Sequence, residues 1–282
     1  MPDRRLPGPR RPMTTPLSSA LAKDRATSAH ATVEPFADAT LPPVNRSVTV
    51  VIPTYNERDN LRTLVPRILA LGSAYGVVVV DDASPDGTGE VADALAAANP
   101  GRVRVLHRPG KAGIGPAYAA GFRVALALGT PLVAQMDADL SHDPLALPRL
   151  VAATADHDLV LGSRYAPGGA TVGWPRRRLL LSRLGGWYAQ AVLGAPIRDL
   201  TGGFKVFRRA ALSALDLDAV RSDGYGFQIE TTWRVLRAGG RVIEVPITFH
   251  DRVAGASKLS RRIVLEALIV VWRLRLERLR RR

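Results

Sequence analysis

The chain of 282 residues lacks cysteine altogether. This absence excludes a disulfide framework, a thiolate metal site and a cysteine nucleophile. The sequence also lacks any uninterrupted apolar run of the ~18–20 residues that a membrane-spanning helix needs. The basic N-terminal segment is not followed by the apolar stretch of a secretion signal. We therefore expect a cytoplasmic protein that lies peripherally on the cytoplasmic face of a membrane.

Acidic residues are outnumbered, and the excess of basic residues is uneven. The formal net charge is +14, and residues 257–282 alone carry nine Lys/Arg against two Asp/Glu, a net of +7. Half of the excess therefore lies in the last 26 residues. A basic end of this kind suits an anionic partner, such as a lipid surface, a nucleic acid or a phosphorylated substrate.

Three regions follow from the changes in pattern along the chain. Residues 1–45 are rich in Pro, Arg, Ala, Ser and Thr without a steady period, which predicts a disordered arm. Residues 46–258 alternate short β-branched runs with helical stretches, which predicts an α/β fold with a mainly parallel sheet and helices on both faces. Residues 259–282 predict a basic amphipathic helix.

The individual elements can be placed from the same periodicities. The predicted strands are 47–53, 77–82, 103–107, 132–137, 159–163 and 241–248. The predicted helices are 58–69, 88–98, 116–128, 145–155, 178–193, 227–238 and a last one from about residue 260 to the end.

Polar residues follow the predicted strands one after another. The first strand runs into PTYNE (53–57), the second into DDASPDG (81–87), the fourth into DAD (137–139) and the fifth into GSR (162–164). In open α/β sheets the ligand collects at the carboxyl ends of the strands. These segments therefore predict one binding site at one edge of the sheet.

Asp137 and Asp139 are the strongest candidates for a metal site. Two carboxylates one residue apart at a strand end can both reach a cation, and oxygen ligands suit Mg²⁺ or Mn²⁺ completed by substrate phosphates. The alternative is a pair of acids that shape the turn and cap a helix before Pro144. The apolar strand that leads directly into the pair favours the metal.

Three further segments have more ordinary interpretations beside the functional ones. One of Asp81 and Asp82 could accept hydrogen bonds from a base or ribose, or Asp82 and Ser84 merely shape the turn and cap the next helix, and the residues leave both open. The GKAGIG stretch (110–115) lacks the spacing of a phosphate loop or a dinucleotide fingerprint, which favours a flexible turn. Arg252 and Lys258 on a loop containing glycine can close over a phosphate, although composition alone favours a solvated basic loop.

Taken together, the segments resemble the polyprenol (dolichol) phosphate mannosyltransferases of glycosyltransferase family 2. The matching stretches run in the family's order from about Val48 to Lys258: VVIPTYNERDNL, VVVVDDASPDGT, QMDADLSHDP, LGSRYAPGG, TGGFKVFRR, GYGFQIE and DRVAGASK. The first three are common to much of the wider family, and the GSRY, TGGFK and R-x-x-G-x-S-K pieces narrow the resemblance to polyprenyl-phosphate sugar transferases.

The resemblance implies a GT-A fold and inverting transfer of mannose from GDP-mannose to the phosphate of a polyprenol. It implies that Asp137 and Asp139 hold Mg²⁺ or Mn²⁺, with Asp139 the most direct ligand, and that Arg164 gathers phosphates beside them. The residues implied to bind the nucleotide sugar are Pro53, Tyr55, Glu57, Val80, Asp82, Asp137, Ala138, Asp139, Arg252 and Lys258. A phosphate acceptor is already anionic at neutral pH, which explains why no general base stands out.

The C-terminal helix offers a way to reach the lipid without a spanning segment. An apolar face with arginines around it can lie in the interface of an anionic membrane; the face is formed by Ile263, Leu265, Leu268, Ile269, Trp272 and Leu276. Arg176, Arg177 and Arg178, ahead of a helix with Trp187 and Tyr188, predict a second contact. The alternatives are packing on the catalytic domain and a membrane-bound partner subunit.

Two competing functions remain open from the sequence. Motifs that bind the phosphates of a donor do not distinguish sugars by the configuration of their hydroxyl groups. A transferase of the same fold could therefore use another donor, such as UDP-glucose. A nucleic-acid-binding protein could use the basic tail, but the basic residues lack interleaved aromatics and a recognised binding module.

Overall fold

The computed structural model describes residues 47–220, 222–251 and 261–280. The predicted arm of residues 1–45 and the predicted phosphate ligands Arg252 and Lys258 lie outside these residues. In chain order the elements are β1 (Val48–Thr54), α1 (Arg58–Leu69), β2 (Tyr75–Asp81), α2 (Thr88–Ala98), β3 (Val103–His107), α3 (Ile114–Ala127), β4 (Leu132–Gln135), a 3₁₀ turn (Pro144–Ala146), α4 (Leu147–Ala153), β5 (Leu159–Ser163), β6 (Ala170–Val172), α5 (Arg176–Leu193), β7 (Lys205–Arg208), α6 (Arg209–Ser213), α7 (Gly224–Arg237), β8 (Val242–Pro246), β9 (Thr248–His250) and α8 (Arg261–Arg280).

Seven of the strands form one sheet in the order β3-β2-β1-β4-β7-β5-β8. All neighbours are parallel except that β7 runs antiparallel to both β4 and β5. The predicted α/β fold with a mainly parallel sheet is therefore confirmed. A second, two-stranded sheet pairs β6 with β9.

Both faces of the large sheet are covered, because the central strands are apolar on both sides. One apolar core includes Tyr118, Phe122 and Phe227 and draws on α3, α5, α7 and α8. The core on the opposite face includes Leu61 and Leu147 and draws on α1, α2 and α4. Within the described ranges, none of the helices has both the length and the apolar character needed to cross a bilayer.

The predicted elements differ from the observed ones mainly in the second half of the chain. The strand predicted over 241–248 is two strands that break at Ile247, and β6, β7 and α6 were not predicted. β7 follows the TGGF segment and inserts between β4 and β5, a place in the sheet that local sequence does not indicate. The other predicted helices and strands are confirmed to within a few residues.

α3 lies unusually close to the sheet at Gly121. A Cβ atom at this position would lie 2.3 Å from Cγ1 of Val51 and 2.8 Å from Cγ2 of Val80. We expect Gly121→Ala to lower the free energy of unfolding by about 1–3 kcal/mol, because the added methyl overpacks the core. Gly185→Ala is the control, since its Cβ would meet no atom within 4 Å, and it should stabilise a helix by up to about 1 kcal/mol. Equal midpoints of urea unfolding for the two variants would contradict the close packing of α3.

Candidate active site

A cavity of about 360 Å³ opens at the carboxyl ends of β1, β2 and β4. Its lining comes from the loops after these strands, the loop between β3 and α3, the starts of α3, α5 and α7, and the loop before β7. It includes Pro53, Tyr55, Glu57, Asp82, Lys111, Gly113, Asp137, Ala138, Asp139, Arg178, Thr201, Gly203, Asp223, Tyr225 and Gln228. We call it the edge pocket. Seven of the ten residues expected to bind a nucleotide sugar therefore meet in one place, as predicted from their position after strands.

The Asp137 carboxylate is held by a hydrogen bond from a residue of the apolar core. Oδ1 accepts a hydrogen bond of 2.7 Å from the hydroxyl of Tyr118, which is fully buried. Burial, followed by the charge of Asp137, raises the pKa of Tyr118 well above its ordinary value, so the hydroxyl stays a donor. A Cβ on Gly203 would lie 3.2 Å from Oδ2 of Asp137. The glycine of the TGGF segment thus leaves room beside this carboxylate.

Asp139 is fixed by the turn that follows it. Its Oδ1 accepts hydrogen bonds from the backbone N–H of Ser141 at 3.1 Å and from the hydroxyl of Ser141 at 2.5 Å. Leu140 between them has φ of +61°, a left-handed conformation that costs a residue with a side chain of this size about 1–3 kcal/mol. The strained backbone at Leu140 directs the Asp139 carboxylate towards the edge pocket, which this carboxylate lines.

Similar strain recurs after the two neighbouring strands. Asn56 follows β1 with φ of +59°, and Ala83 follows β2 with φ of +54°. In the described part of the chain, Asn56, Ala83 and Leu140 are the non-glycine residues with positive φ, and each lies in a loop that borders the edge pocket. Strained backbone concentrates at functional sites because it holds polar groups in one orientation.

The donor set of the pocket fits a Mg²⁺ or Mn²⁺ ion that is completed by a ligand. Asp137 and Asp139 both line the pocket, whereas the described residues contain no cluster of three or more His, Asp or Glu side chains that could enclose a metal. Mg²⁺ in particular usually takes one or two carboxylates, keeps several waters and binds substrate phosphates. Two carboxylates beside an open cavity match that pattern.

A flat platform lies at the β1 end of the pocket. The ammonium group of Lys111 sits 4.1 Å from the centre of the Tyr55 ring, within the range of a cation–π contact. Lys111 belongs to the GKAGIG stretch, which sequence alone favoured as a turn and which the structure brings to the pocket. A tyrosine ring with a cation over one face suits a ligand that has both a planar group and negative charge.

The paired acids after β2 have different roles. Asp81 shapes the turn, because its carboxylate accepts hydrogen bonds from Ser84 and from the hydroxyl of Thr54. Asp82 lines the pocket, and its Oδ1 lies 2.7 Å from Nη1 of Arg108. Burial raises the pKa of Asp82, and the Arg108 guanidinium opposes that rise. Asp81 therefore has the turn-shaping role, whereas hydrogen bonding of a base or ribose by Asp82 stays a prediction.

Arg164 does not lie where the resemblance implied. It is absent from the pocket lining and its guanidinium is buried, with Nε 2.8 Å and Nη2 2.5 Å from the two oxygens of Asp199. Burial lowers the pKa of Arg164, but the ion pair with Asp199 outweighs it and raises the pKa above its ordinary value. Nη2 also donates to Thr201, which does line the pocket. Arg164 thus supports the pocket wall from behind, and a phosphate would have to compete with Asp199 for it.

Val80 is also corrected by the structure. Its side chain is fully buried among Val51, Tyr118 and Phe122 in the core beneath α3, and it does not line the pocket. Its carbonyl oxygen accepts a hydrogen bond from Thr54. Because side chains alternate across a strand, Val80 points into the core, while Asp82 just after β2 lines the pocket.

The α7 side of the pocket is formed by a sequence motif whose residues have no role that the sequence alone indicates. GYGFQIE opens α7, and Gly224, Tyr225 and Gln228 line the pocket. Asp223, the residue before α7, accepts a hydrogen bond of 2.7 Å from the backbone N–H of Gly115 at the start of α3. The two helix starts are therefore tied together across the pocket.

An apolar groove continues from the edge pocket. It has a volume of about 350 Å³, shares Arg178, Thr201 and Tyr225 with the edge pocket, and runs between α5, α7 and α8. Its remaining lining is mainly apolar: Trp174, Leu181, Ser182, Leu184, Gly185, Tyr188, Ala189, Ile229, Leu268 and Val271. We call it the apolar groove. A ligand with a charged head and a hydrocarbon body fits the two cavities together.

A lysine is buried beneath the site. Lys205 on β7 is fully buried, and its Nζ donates to the carbonyl oxygen of Gln228 at 2.7 Å and to Thr231 at 3.2 Å. Burial lowers its pKa to about 7, although Asp199 and Asp137 act in the opposite direction. The folded protein therefore releases a proton that the unfolded chain keeps until about pH 10.

This difference predicts a pH-dependent stability. Between about pH 7 and pH 10 the unfolded state binds more protons at Lys205, so the free energy of unfolding should rise with pH by at most about 1.4 kcal/mol per unit. We expect Lys205→Met to remove this contribution, so the difference between wild type and variant should change across pH 7–9.5. Urea unfolding of both proteins measures it. Parallel stability curves over this range would show that Lys205 keeps an ordinary pKa.

Comparisons with known proteins identify the family of the chain. The model of the family described as glycosyl transferase family 2 matches residues 49–216. The chain is 49% identical over 240 residues to polyprenol monophosphomannose synthase from Mycolicibacterium smegmatis, covering 84% of this chain and 90% of that protein. It is 49% identical over 226 residues to undecaprenyl-phosphate mannosyltransferase from Micrococcus luteus, covering 80% and 93%.

Among solved structures, glucosyl-3-phosphoglycerate synthase from Mycobacterium tuberculosis has a similar fold. Its complex with Mn²⁺, UDP-glucose and phosphoglyceric acid gives a TM-score of 0.63 at 19% identity, covering 82% of this chain and 80% of that one. At this identity the likeness establishes the fold, which is that of the GT-A glycosyltransferases.

Proposed function

The chain belongs to glycosyl transferase family 2, and from this premise we propose that it transfers mannose from GDP-mannose to the phosphate of a polyprenol. The observation that carries the proposal is the continuity of a polar pocket with an apolar groove. Two relatives at 49% identity are named for mannosyl transfer to polyprenyl phosphates. A donor that is wholly polar and an acceptor that is mainly hydrocarbon need such a pair of cavities.

The nucleotide sugar occupies the edge pocket in this proposal. The guanine lies against Tyr55 with Lys111 beside it, and Glu57 and Asp82 offer carboxylates to the donors on the base and ribose. The diphosphate lies by Asp137 and Asp139, which would hold Mg²⁺ or Mn²⁺. When bound, the metal neutralises the charge that develops on the departing diphosphate. Arg252 and Lys258 remain predicted phosphate ligands.

The reaction is a single in-line displacement. An oxygen of the lipid phosphate forms a bond to the anomeric carbon of mannose while the bond from that carbon to the diphosphate oxygen breaks, so the configuration inverts and GDP leaves. The attacking oxygen is already anionic at neutral pH, so no proton must be removed. The chain's residues act by positioning the two substrates and by excluding water.

The acceptor enters through the apolar groove. Arg178 lies at the junction of the two cavities, with its guanidinium 4.1 Å from the centre of the Trp174 ring and 2.8 Å from Oδ1 of Asp251. A guanidinium at the mouth of a hydrocarbon groove is suited to bind the acceptor phosphate, because charge-assisted hydrogen bonds to phosphate are strong. The isoprene units then lie along α5 and α8.

The groove opens beside a surface that suits a membrane. Eight large apolar side chains on α5 and α8 are between 37% and 67% exposed: Leu180, Leu181, Leu184, Trp187, Leu268, Ile269, Trp272 and Leu276. We call them the apolar face. Of the six residues expected to form it on α8, Leu268, Ile269, Trp272 and Leu276 are exposed, and the side chains of Ile263 and Leu265 lie outside the described part.

We infer that the apolar face lies in the interface of an anionic membrane. Exposed apolar patches of this size mark interaction sites, and Arg176 and Arg177 at the start of α5 supply positive charge beside it. Val270, Val271 and Leu274 of the same helix are buried, so α8 both packs on the catalytic domain and faces outward. A peripheral position on the cytoplasmic side would place the groove mouth at the lipid, and a membrane-bound partner subunit could share the same face.

Transfer of radiolabelled sugar into polyprenyl phosphate tests the donor. We expect labelled lipid from GDP-mannose, loss of label with EDTA and recovery with Mg²⁺ or Mn²⁺. If UDP-glucose labels the lipid and GDP-mannose does not, the fold and acceptor stand and the assignment of mannose is wrong. If EDTA has no effect on transfer, the metal role of Asp137 and Asp139 is wrong.

A further inference from the structure

A fully buried carboxylate, Glu230, lies outside both cavities. It sits in the middle of α7, and its side chain has no exposed surface. Oε1 accepts hydrogen bonds from Nε and Nη2 of Arg234 at 2.9 and 2.6 Å. Oε2 accepts from Nη2 of Arg273 at 2.9 Å and also from the hydroxyl of Ser222. One carboxylate of α7 therefore binds two separate points of the chain, α8 and the turn before α7, besides Arg234 of its own helix.

The first of these points is α8. Arg273 belongs to the helix that carries the apolar face and forms part of the wall of the groove through Leu268 and Val271. Val270 next to it packs closely on α7, because a Cβ on Gly226 would lie 3.2 Å from its Cγ2. The ion pair between Arg273 and Glu230 thus fixes α8 in the position that closes the groove.

The second point is the turn that opens α7. Ser222 is buried and directly precedes Asp223, whose carboxylate holds the N–H of Gly115 at the start of α3. Tyr225, the second residue of α7, lines both cavities. Movement of the Ser222 turn would therefore shift the residues where the two cavities join.

Stabilisation of the fold alone does not account for the buried contacts of Glu230 with Arg234, Arg273 and Ser222. Burying a carboxylate costs several kcal/mol, and replacing such ion pairs by apolar residues of the same volume is often neutral or stabilising. A buried charge network instead fixes one arrangement among several, which is useful where a helix must sit in one position. The same oxygen of Glu230 receives both Ser222 and Arg273, so the two contacts depend on each other.

We propose that Glu230 is a positioning residue. It couples the position of α8 on α7 to the shape of the junction between the edge pocket and the apolar groove. The proposal rests on the proposed function, since it takes the groove as the acceptor site. When Arg273 engages Glu230, α8 completes the groove wall and Ser222 holds Asp223 and Tyr225 in place. When the contact is lost, α8 separates from α7 and the acceptor binds less tightly.

Arg273→Met tests the proposal against Arg275→Met. Both remove one positive charge from α8, but Arg275 makes no hydrogen bond or ion pair with the residues that the structure describes. We expect the KM for polyprenyl phosphate to rise about tenfold in Arg273→Met with kcat changed less than about twofold, and Arg273→Lys to restore part of it. Arg275→Met should behave as wild type. Equal KM values in the two methionine variants would overturn the proposal.

Glu230→Gln provides a second test with the opposite change in net charge. It should raise the acceptor KM in the same direction as Arg273→Met, which an effect of bulk charge on membrane binding cannot do. Hydrogen exchange without substrate is the independent readout: both variants should speed exchange in residues 222–226 and 113–115, and Arg275→Met should not. If the wild type transfers no mannose, the proposed function fails while the exchange result still decides the coupling. Unchanged exchange in Arg273→Met would overturn it.

Discussion

Asp139→Ala is expected to lower the rate of mannose transfer at least about a thousandfold. The carboxylate is buried, accepts a hydrogen bond from Ser141 and lines the edge pocket. Loss of one of two carboxylates would leave the metal with a single protein ligand in its first coordination shell. Initial rates at saturating GDP-mannose, with a titration of Mn²⁺, measure the effect. Excess Mn²⁺ should restore little activity.

Asp143→Asn is the matched control for this change. Asp143 lies in the same loop, where it caps the 3₁₀ turn through the N–H of Leu145 and pairs with Arg67 at the surface. Its loss should lower stability by about 1 kcal/mol and leave the transfer rate within about twofold of wild type. If Asp139→Ala retained a tenth of the activity, the DAD segment would not be the metal site.

Arg178→Met is expected to lower kcat/KM for polyprenyl phosphate about a hundredfold or more. The guanidinium at the junction of the pocket and the groove is the contact proposed for the acceptor phosphate. Its loss should leave the binding of GDP-mannose nearly unchanged, because the proposed donor contacts lie on the loops after β1, β2, β3 and β4. Transfer to a short isoprenyl phosphate in detergent measures the effect without a membrane.

Arg177→Met separates this role from attraction to the membrane. Arg177 is the exposed neighbour on α5 and lines neither cavity. In detergent it should match wild type, and on anionic vesicles it should lose activity modestly. Should both variants lose activity equally in detergent, Arg178 would act through the general charge of α5 and would not bind the phosphate.

Much of the fold was predictable because its local signals agree with its global arrangement. Strands such as Val103–His107 carry β-branched residues, and α1 and α2 begin and end where their periodicity does. The edge pocket was predictable for the same reason, since parallel strands deliver their carboxyl ends to one edge. Asp137, Asp139, Tyr55 and Asp82 needed no tertiary information to be found.

What could not be predicted depends on contacts between distant parts of the chain. Arg164 was assigned to phosphate from its motif, but Asp199, 35 residues later, pairs with it, and no spacing rule indicates that pair. Val80 was assigned to the pocket, although strand alternation directs its side chain into the core. The groove is built by α5, α7 and α8, which meet only in the fold.

The proposed acceptor is a lipid phosphate. The decisive measurement is transfer from GDP-mannose to three acceptors at equal concentration: a polyprenyl phosphate, the matching polyprenol without phosphate, and phosphoglyceric acid, which the structurally similar glucosyl-3-phosphoglycerate synthase binds. We expect mannosylated lipid from the polyprenyl phosphate alone, and no product from the other two acceptors. Transfer to phosphoglyceric acid with none to the lipid phosphate would contradict it.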